Sequence, residues 1–318
     1  MIDVLDVDLL AFEQGSNAQR RAVVDGVARS LGTGFVFTSH DIPAALLDEA
    51  YGMLAEFFAL STAEKNRWRV PESHGQTGYT GLLVETAASS DLADWKEMLN
   101  WGADVPAHHP LRARYPHRYL DQILPEASVP GISTVLVEFH RRLVDLQTRF
   151  LRVVAAGLRV SDCFFDDILA DGSHLTRAIH YPAMTHAPAG DYVWADEHAD
   201  INLVTALPRA TRRGLQLKVP EGWRDVVPPA GHVVVNSGIM LERLSNGRIP
   251  AGVHRVVADD AGADDRFSVV QFCHPAPWFA LAPLPTCVDD AHPLRFGTIE
   301  AGALLDRALY DIGLIRPD

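Results

Sequence analysis

The sequence predicts a mainly β protein with flanking helices, and three observations support this fold class. After about residue 172, short apolar runs alternate with glycine- and proline-containing turns, which is typical of a sandwich, barrel or jelly roll. Before that point, apolar residues recur at helical spacing. No linker-like stretch separates the two parts, so we expect the helices to buttress one central β barrel.

The composition of the 318-residue chain, 47% hydrophobic and 22% charged, is that of an ordinary globular protein. A formal net charge of −13 makes nucleic acids and anionic membranes unfavourable partners. No apolar run reaches the length of a membrane span, and the acidic N-terminus lacks the pattern of a secretory signal. The three cysteines are widely spaced, which predicts reduced thiols and a cytoplasmic protein. The oligomeric state is not indicated.

The N-terminal part predicts helices separated by one short strand. Apolar spacing predicts a helix over 17–31, and a buried strand follows over 35–37. A second helix is expected over 43–59, with Pro43 in its first turn, and the capping-box spacing of Ser61 and Glu64 begins another. The glycine-rich stretch 71–81 is expected to be a loop.

The strongest helical pattern of the chain lies over 131–158, where one wide apolar stripe predicts a helix packed on a sheet. The predicted strands that follow are 175–181, 201–207, 215–219, 232–236, 254–258 and 267–273. A further helix is expected over 298–311.

His198 and Asp200 are two residues apart, so on an extended chain both side chains project to the same face. An imidazole and a carboxylate placed in this way can be two ligands of one metal ion. His254 opens a strand-like run in the same β-rich region and is the best third ligand. Two histidines and one carboxylate on one face of a metal leave positions open for a co-substrate and O₂, as in non-haem Fe(II) oxygenases.

A single His-x-Asp triplet is weak evidence, since it is more often a surface pair or a hydrogen-bonded core histidine. The apolar strand that follows Asp200 and the downstream position of His254 favour the metal site. A zinc hydrolase could use the same ligands, but no well-placed general base accompanies them.

Arg266 and Ser268 are two residues apart, as His198 and Asp200 are, and they begin an apolar strand. A guanidinium and a hydroxyl that face a barrel interior can hold a carboxylate by a bidentate pair and a hydrogen bond. Arg243 and Ser245 have this spacing too, and we interpret them as a surface pair.

These residues belong to a longer ordered set in which the chain resembles the isopenicillin N synthase-like branch of the Fe(II)- and 2-oxoglutarate-dependent oxygenases. The matching phrases, in the family's order, are Arg177 with Tyr181-Pro182; His198-Ala199-Asp200 with Leu203-Val204-Thr205-Ala206-Leu207; Gly214-Leu215-Gln216-Leu217; Val233-Val234-Val235-Asn236-Ser237-Gly238; His254-Arg255-Val256-Val257; and Arg266-Phe267-Ser268 with Phe272. The N-terminal landmarks are Gly34-Phe35-Val36-Phe37, Gly78-Tyr79 and Asp94-Trp95-Lys96-Glu97.

The resemblance implies a double-stranded β-helix (jelly-roll) core over 131–318, with a helical or mixed N-terminal extension over 1–130. It also implies Fe(II) held by His198, Asp200 and His254. The co-substrate 2-oxoglutarate is then expected to chelate the iron, with its far carboxylate on Arg266 and Ser268.

The implied reaction uses O₂ to hydroxylate a small molecule, or to desaturate or cyclise it. Specialised, antibiotic-like metabolism is its expected context. By analogy with the family's layout, the candidate substrate-binding residues are Tyr79, Arg177, His180, Tyr181 and Met240.

The chain departs from the family pattern at Ile179, where many members carry Asn, and His180 follows it. This difference could alter how 2-oxoglutarate or the substrate is oriented. Two alternatives remain open: an Fe(II) oxidase of the isopenicillin N synthase type that uses no 2-oxoglutarate, and a non-catalytic jelly-roll binding protein.

Overall fold

The structure is a computed structural model that describes residues 4–86, 92–258, 262, 264–312 and 314. The α-helices are α1 Leu9–Gln14, α2 Asn17–Ser30, α3 Ala44–Phe58, α4 Thr62–Asn66, α5 Pro110–Arg114, α6 Ile132–Leu158, α7 Phe164–Leu169, α8 Ile239–Leu244 and α9 Ala301–Asp311. The strands are β1 Asp6–Val7, β2 Phe35–Ser39, β3 Gly78–Thr80, β4 Glu97–Gly102, β5 Leu175–Tyr181, β6 Ala195–His198, β7 Val204–Ala210, β8 Leu215–Val219, β9 Gly222–Asp225, β10 His232–Ser237, β11 His254–Val256, β12 Arg266–Cys273, β13 Ala280–Leu281 and β14 Ile299–Glu300.

Two sheets form the centre of the molecule. The larger sheet has the strand order β1-β2-β10-β7-β12-β5-β4-β3, and the smaller has the order β6-β11-β8-β9. Neighbouring strands are antiparallel except for β1 and β2. Several neighbouring pairs, such as β2 and β10 or β5 and β12, are distant in the chain, as the crossing connections of a jelly roll require.

Side-chain alternation along each strand divides the core into two layers. In β10, Val233 and Val235 pack in the cluster shared with the helices, whereas Val234 packs in a second cluster. That second cluster joins residues of the larger sheet to Leu215, Leu217 and Val256 of the smaller sheet. The two sheets therefore face each other, and the helices cover the outer face of the larger one.

Helix α6 fixes the larger sheet from outside. Its apolar stripe is buried, as the spacing predicts, and α2 and α3 pack against it. Within the stripe, Gln147 donates one amide hydrogen bond to the Val204 carbonyl (3.1 Å) and another to that of Gln271 (2.8 Å). These bonds hold β7 and β12 side by side, and the expected fold class, a jelly-roll core with flanking helices, is confirmed.

Several element boundaries differ from the sequence-based expectation. The strand expected over 201–207 begins at Val204, because residues 201–203 bend. The expected loop 71–81 contains β3, and Pro43 precedes α3 rather than lying in its first turn. Strand β4 was not predicted, because Glu97 at its start and Lys96 just before it look like surface charges; both are buried in ion pairs.

Within the described residues, no helix combines the length and the apolar character needed to cross a bilayer.

Candidate active site

Neighbouring strands of the smaller sheet bring together the three predicted metal ligands. His198 ends β6 and lies opposite His254, the first residue of β11, while Asp200 follows β6 by two residues. One ligand atom from each side chain lies within 4.8 Å of the other two. Among the described residues, this is the cluster of three or more such side chains that could hold a metal ion.

The two histidines are oriented by the backbone. His198 Nδ1 lies 2.7 Å from the Asp196 carbonyl oxygen, and His254 Nδ1 lies 2.9 Å from that of Gly252. An Nδ1–H that donates to a carbonyl leaves the Nε2 lone pair free, which is the tautomer a metal needs. Burial, together with His198, lowers the pKa of His254 to about 4, so this ring is neutral near pH 7.

Asp200 is held as an anion although it is buried. Its Oδ2 accepts hydrogen bonds from Thr205 Oγ1 (2.6 Å) and Asn236 Nδ2 (2.7 Å). Burial alone would raise the pKa of Asp200, but His254, His198 and these two hydrogen bonds keep it below its ordinary value. The other oxygen, Oδ1, lies 4.0 Å from His198 Nε2.

This donor set fits a divalent metal. Two imidazole nitrogens and one carboxylate oxygen converge, and each of the three side chains also has a hydrogen-bond partner in the protein. The set is the facial 2-His-1-carboxylate arrangement used by non-haem Fe(II), which leaves coordination positions open.

Arg266 is a buried cation at the start of β12. It is 1% exposed, and its Nη1 donates to Ser268 Oγ at 3.1 Å. Its Nε donates to the Arg212 carbonyl (3.3 Å), and its guanidinium carbon lies 4.9 Å from the centre of the Tyr181 ring. No acidic side chain of the described residues forms an ion pair with Arg266. A buried guanidinium without a carboxylate partner favours an anionic ligand.

One cavity contains both features. It is lined by the three metal-site residues, by Arg266 and Ser268, and by side chains of both sheets. Its apolar lining residues are Ile179, Ala195, Leu207, Leu215, Val256, Val270 and Phe272, and its other polar ones are Lys96, Arg177, Tyr181, Thr205 and Asn236.

Comparison with known proteins decides the family. A model of the 2OG-Fe(II) oxygenase superfamily matches residues 173–275, and a model of the N-terminal region of a non-haem dioxygenase in morphine synthesis matches residues 2–126. The chain belongs to the 2OG-Fe(II) oxygenase superfamily.

Individual oxygenases of known name agree with this assignment. The chain is 29% identical to the 2-oxoglutarate-dependent dioxygenase citB of Monascus ruber, with 85% of this chain and 84% of that protein covered. It is 27% identical to Kihadalactone A synthase LFS of Citrus sinensis, over 84% and 81% of the two chains. A crystal structure described as a 2OG-Fe(II) oxygenase family protein from Caulobacter crescentus has a TM-score of 0.84 and 29% identity, and covers 98% of this chain and 100% of its own.

The oxygenases of this superfamily use Fe(II), 2-oxoglutarate and O₂, and this chain is a 2-oxoglutarate-dependent dioxygenase. The alternative of a non-catalytic binding protein therefore has no support. The finer expectation, membership of the isopenicillin N synthase-like branch, stays a prediction.

The oxygenase cavity includes only two of the five predicted substrate-binding residues, Arg177 and Tyr181. His180 points to the opposite face of β5, where its ring nitrogens lie 2.7 Å from Glu97 Oε1 and 3.0 Å from Asp265 Oδ2. The Tyr79 hydroxyl also donates to Glu97.

Met240 of α8 is 1% exposed and packs in the core shared with the helices. None of Tyr79, His180 and Met240 lines the cavity, so the structure does not support them as substrate contacts. His180 is outside the cavity because successive side chains of β5 point to opposite faces of the sheet. Met240 is outside it because its side chain packs in the core. Ile179, the departure from the family pattern, does line the cavity, whereas His180 does not.

Sequence reasoning assigned no role to Thr205, Asn236 or Lys96, although each lines the cavity. A signal was present for Asn236 and Lys96. Asn236 is a polar residue at the end of a valine run, and Lys96 is one of only three lysines. A polar residue within a buried strand needs a partner, and here the partner is in the site.

Proposed function

We propose that this oxygenase oxidises a C–H bond of a small molecule in specialised metabolism, with hydroxylation as the default outcome. Desaturation or ring closure would use the same residues. The proposal is supported by one observation above all: a single cavity contains the His198, Asp200 and His254 cluster and the buried Arg266, which forms no ion pair with an acidic side chain of the described residues. A cytoplasmic location, from the cysteine pattern, is part of the proposal.

In this account His198, Asp200 and His254 hold the ferrous ion. When bound, iron supplies the reactivity toward O₂ that side chains lack. The protein's part is to present two imidazoles and one carboxylate in fixed orientations. Thr205 and Asn236 hold the Asp200 oxygen that faces away from the cluster, which leaves the other oxygen for the metal.

Arg266 and Ser268 bind the far carboxylate of 2-oxoglutarate. Arg266 is held by hydrogen bonds to the Arg212 carbonyl and to Ser268, so its guanidinium group is oriented before the ligand binds. An anion placed there neutralises a buried cation and gains charge-assisted hydrogen bonds. Tyr181, whose ring lies beside the guanidinium, forms part of the same wall.

Seven apolar side chains line the cavity beside its polar ones, which supports a substrate with an apolar part. The role in specialised metabolism is supported by the relatives, one of which is named as a synthase of kihadalactone A.

The test is consumption of 2-oxoglutarate by the purified iron-loaded protein in air. We expect succinate to form in the wild type, and to form faster with a true substrate. His198→Ala should abolish succinate formation, and the control His186→Ala, in an exposed segment, should not change it. Oxygen consumption without succinate would contradict the proposal and favour the isopenicillin N synthase type of oxidase.

A further inference from the structure

Strand β4 and the residue before it present two buried charges to opposite faces of the larger sheet. Lys96 faces the cavity, whereas Glu97 faces the helices and pairs with Lys65 (2.7 Å). Both lysines are nearly inaccessible to solvent, with 9% and 7% of Lys96 and Lys65 exposed. A buried lysine costs desolvation energy, so its position calls for an explanation. Lys65 is explained by its partners, which include the Phe58 carbonyl at 3.1 Å.

Lys96 has fewer protein acceptors than it has protons to donate. Its Nζ lies 2.8 Å from Asp94 Oδ2 and 3.1 Å from Glu85 Oε2. An ammonium group has three N–H donors. In the described part of the chain no third acceptor contacts this nitrogen, and the side chain borders the cavity that holds the metal site.

Among the described residues, the charges that pair with Lys96 and with Glu85 are already balanced. Glu85, which is buried, also pairs with Arg177 Nη1 at 3.0 Å. Lys96 and Arg177 carry two positive charges, and Glu85 and Asp94 carry two negative ones. A substrate carboxylate beside Lys96 would add a third negative charge next to these two acids. A neutral oxygen acceptor would satisfy the N–H that has no acceptor among the described residues, without that repulsion.

We propose that Lys96 is a substrate-positioning residue, which donates its third N–H to a neutral acceptor of the substrate, such as a ketone, amide, ester or hydroxyl oxygen. The aliphatic walls around it then hold the rest of the molecule. This inference rests on the proposed function and adds the chemical class of the substrate.

A purely structural role for Lys96 makes a different prediction. Asp94, which Lys96 contacts, accepts a hydrogen bond at Oδ1 from the backbone N–H of Asp196 (3.1 Å), and the Asp196 carbonyl orients His198. If Lys96 only held Asp94 in place for these contacts, replacing Lys96 would disturb His198 and weaken metal binding. If it is a substrate donor, metal and 2-oxoglutarate binding are retained.

The experiment compares Lys96→Met with the matched control Lys65→Met, which removes an equally buried, ion-paired lysine on the other face. Both are tested as full-length, metal-loaded protein. Three quantities are measured: the Kd for Co(II), the Kd for 2-oxoglutarate, and the rate of succinate formation without substrate. Binding of phenylacetamide and phenylacetate, which share a skeleton, is then measured by equilibrium dialysis under nitrogen with saturating 2-oxoglutarate.

We expect the wild type to prefer the amide. Lys96→Met should weaken amide binding about 10- to 100-fold, since a hydrogen bond from a charged donor is lost. Lys65→Met should bind the amide like the wild type, and all three proteins should keep the metal and 2-oxoglutarate affinities. Lys96→Gln, which keeps an N–H donor, should still prefer the amide, and it replaces the Met variant if that variant does not fold.

Tighter binding of the carboxylate by the wild type would overturn the inference, as would unchanged amide binding in Lys96→Met. Weaker Co(II) or 2-oxoglutarate binding in Lys96→Met would assign Lys96 a structural role instead. Failure of the proposed function is distinguishable, because it would leave the wild type itself unable to form succinate.

Discussion

At the scale of single residues, the site depends on hydrogen bonds that orient charged groups. Asp200 offers one oxygen to the cluster because Thr205 and Asn236 occupy the other. The sequence could predict the three ligands from their types and spacing, but not these supporting contacts. Thr205 and Asn236 lie on β7 and β10, which only the folded sheet places beside Asp200.

Thr205→Val should weaken metal binding about 10- to 100-fold, which is the usual effect of losing a hydrogen bond behind a ligand. The side chain keeps its shape and loses only its hydroxyl. Titration with Co(II), followed by its visible spectrum, measures the change. Thr176→Val is the matched control, because Thr176 is equally buried and bonds to His140 (2.7 Å) away from the cavity. Equal affinities in the two variants would contradict the role of Thr205.

Arg266→Met should raise the KM for 2-oxoglutarate at least 100-fold, since a desolvated carboxylate left unpaired costs about 3–5 kcal/mol. Metal affinity should not change. Steady-state succinate formation measures the effect. Arg243→Met is the control, because Arg243 and Ser245 share the Arg-x-Ser spacing but belong to the end of α8 rather than to a strand. A KM unchanged by Arg266→Met would remove this residue from the co-substrate site.

At the scale of elements, the position of His254 depends on a close approach of two backbone segments. A Cβ on Gly252 would lie 2.7 Å from the Gly34 carbonyl oxygen, and Gly34 begins the turn into β2 with φ +78°. The Gly252 carbonyl orients His254. A shift of Gly252 against Gly34 would therefore also move a ligand of the metal site.

Gly252→Ala should therefore lower the free energy of unfolding by about 1–3 kcal/mol through overpacking. It should also weaken Co(II) binding, because the Gly252 carbonyl must move. Urea unfolding and Co(II) titration measure the two effects. Gly32→Ala, where a Cβ would meet nothing within 4 Å, should change neither. A Gly252→Ala variant with unchanged stability and metal affinity would show that the contact is not required.

Element predictions succeeded where a single periodicity determined the structure. The long apolar stripe predicted α6 over almost its whole length, and β5 and β8 have the predicted bounds. They failed where a tertiary contact decides. Strand β4 begins with a charge that only the folded sheet neutralises. Tyr79 and His180 were candidates by analogy with the family's layout, which does not reveal that both side chains contact Glu97 outside the cavity lining.

At the scale of the whole molecule, the interface between α6 and the larger sheet contains buried histidines. His140 lies 2.7 Å from Thr176 Oγ1, and Gln271 Nε2 lies 3.2 Å from the same ring nitrogen. Burial and the nearby His174 lower the pKa of His140 to about 3. Burial, with Arg118 and His174, lowers the pKa of His274 to about 3 as well.

Stability should consequently fall with acidification in a defined range. The unfolded state binds protons on these histidines below about pH 6.5 and the native state only below about pH 3, so the stabilisation is complete above pH 6.5. Each histidine should contribute a slope of at most about 1.4 kcal/mol per pH unit between those limits. Urea unfolding from pH 7 to pH 4.5 measures the slope, which His140→Gln should reduce and His186→Gln should not. The same slope in wild type and His140→Gln would contradict the assignment.

The central claim is that one cavity holds a ferrous ion on His198, Asp200 and His254 together with 2-oxoglutarate anchored on Arg266. The most direct measurement is the visible spectrum of the protein under nitrogen as Fe(II) and then 2-oxoglutarate are added. We predict a metal-to-ligand charge-transfer band that appears only when both are present and is lost in His198→Ala. Bound iron that gives no such band with saturating 2-oxoglutarate would contradict the account.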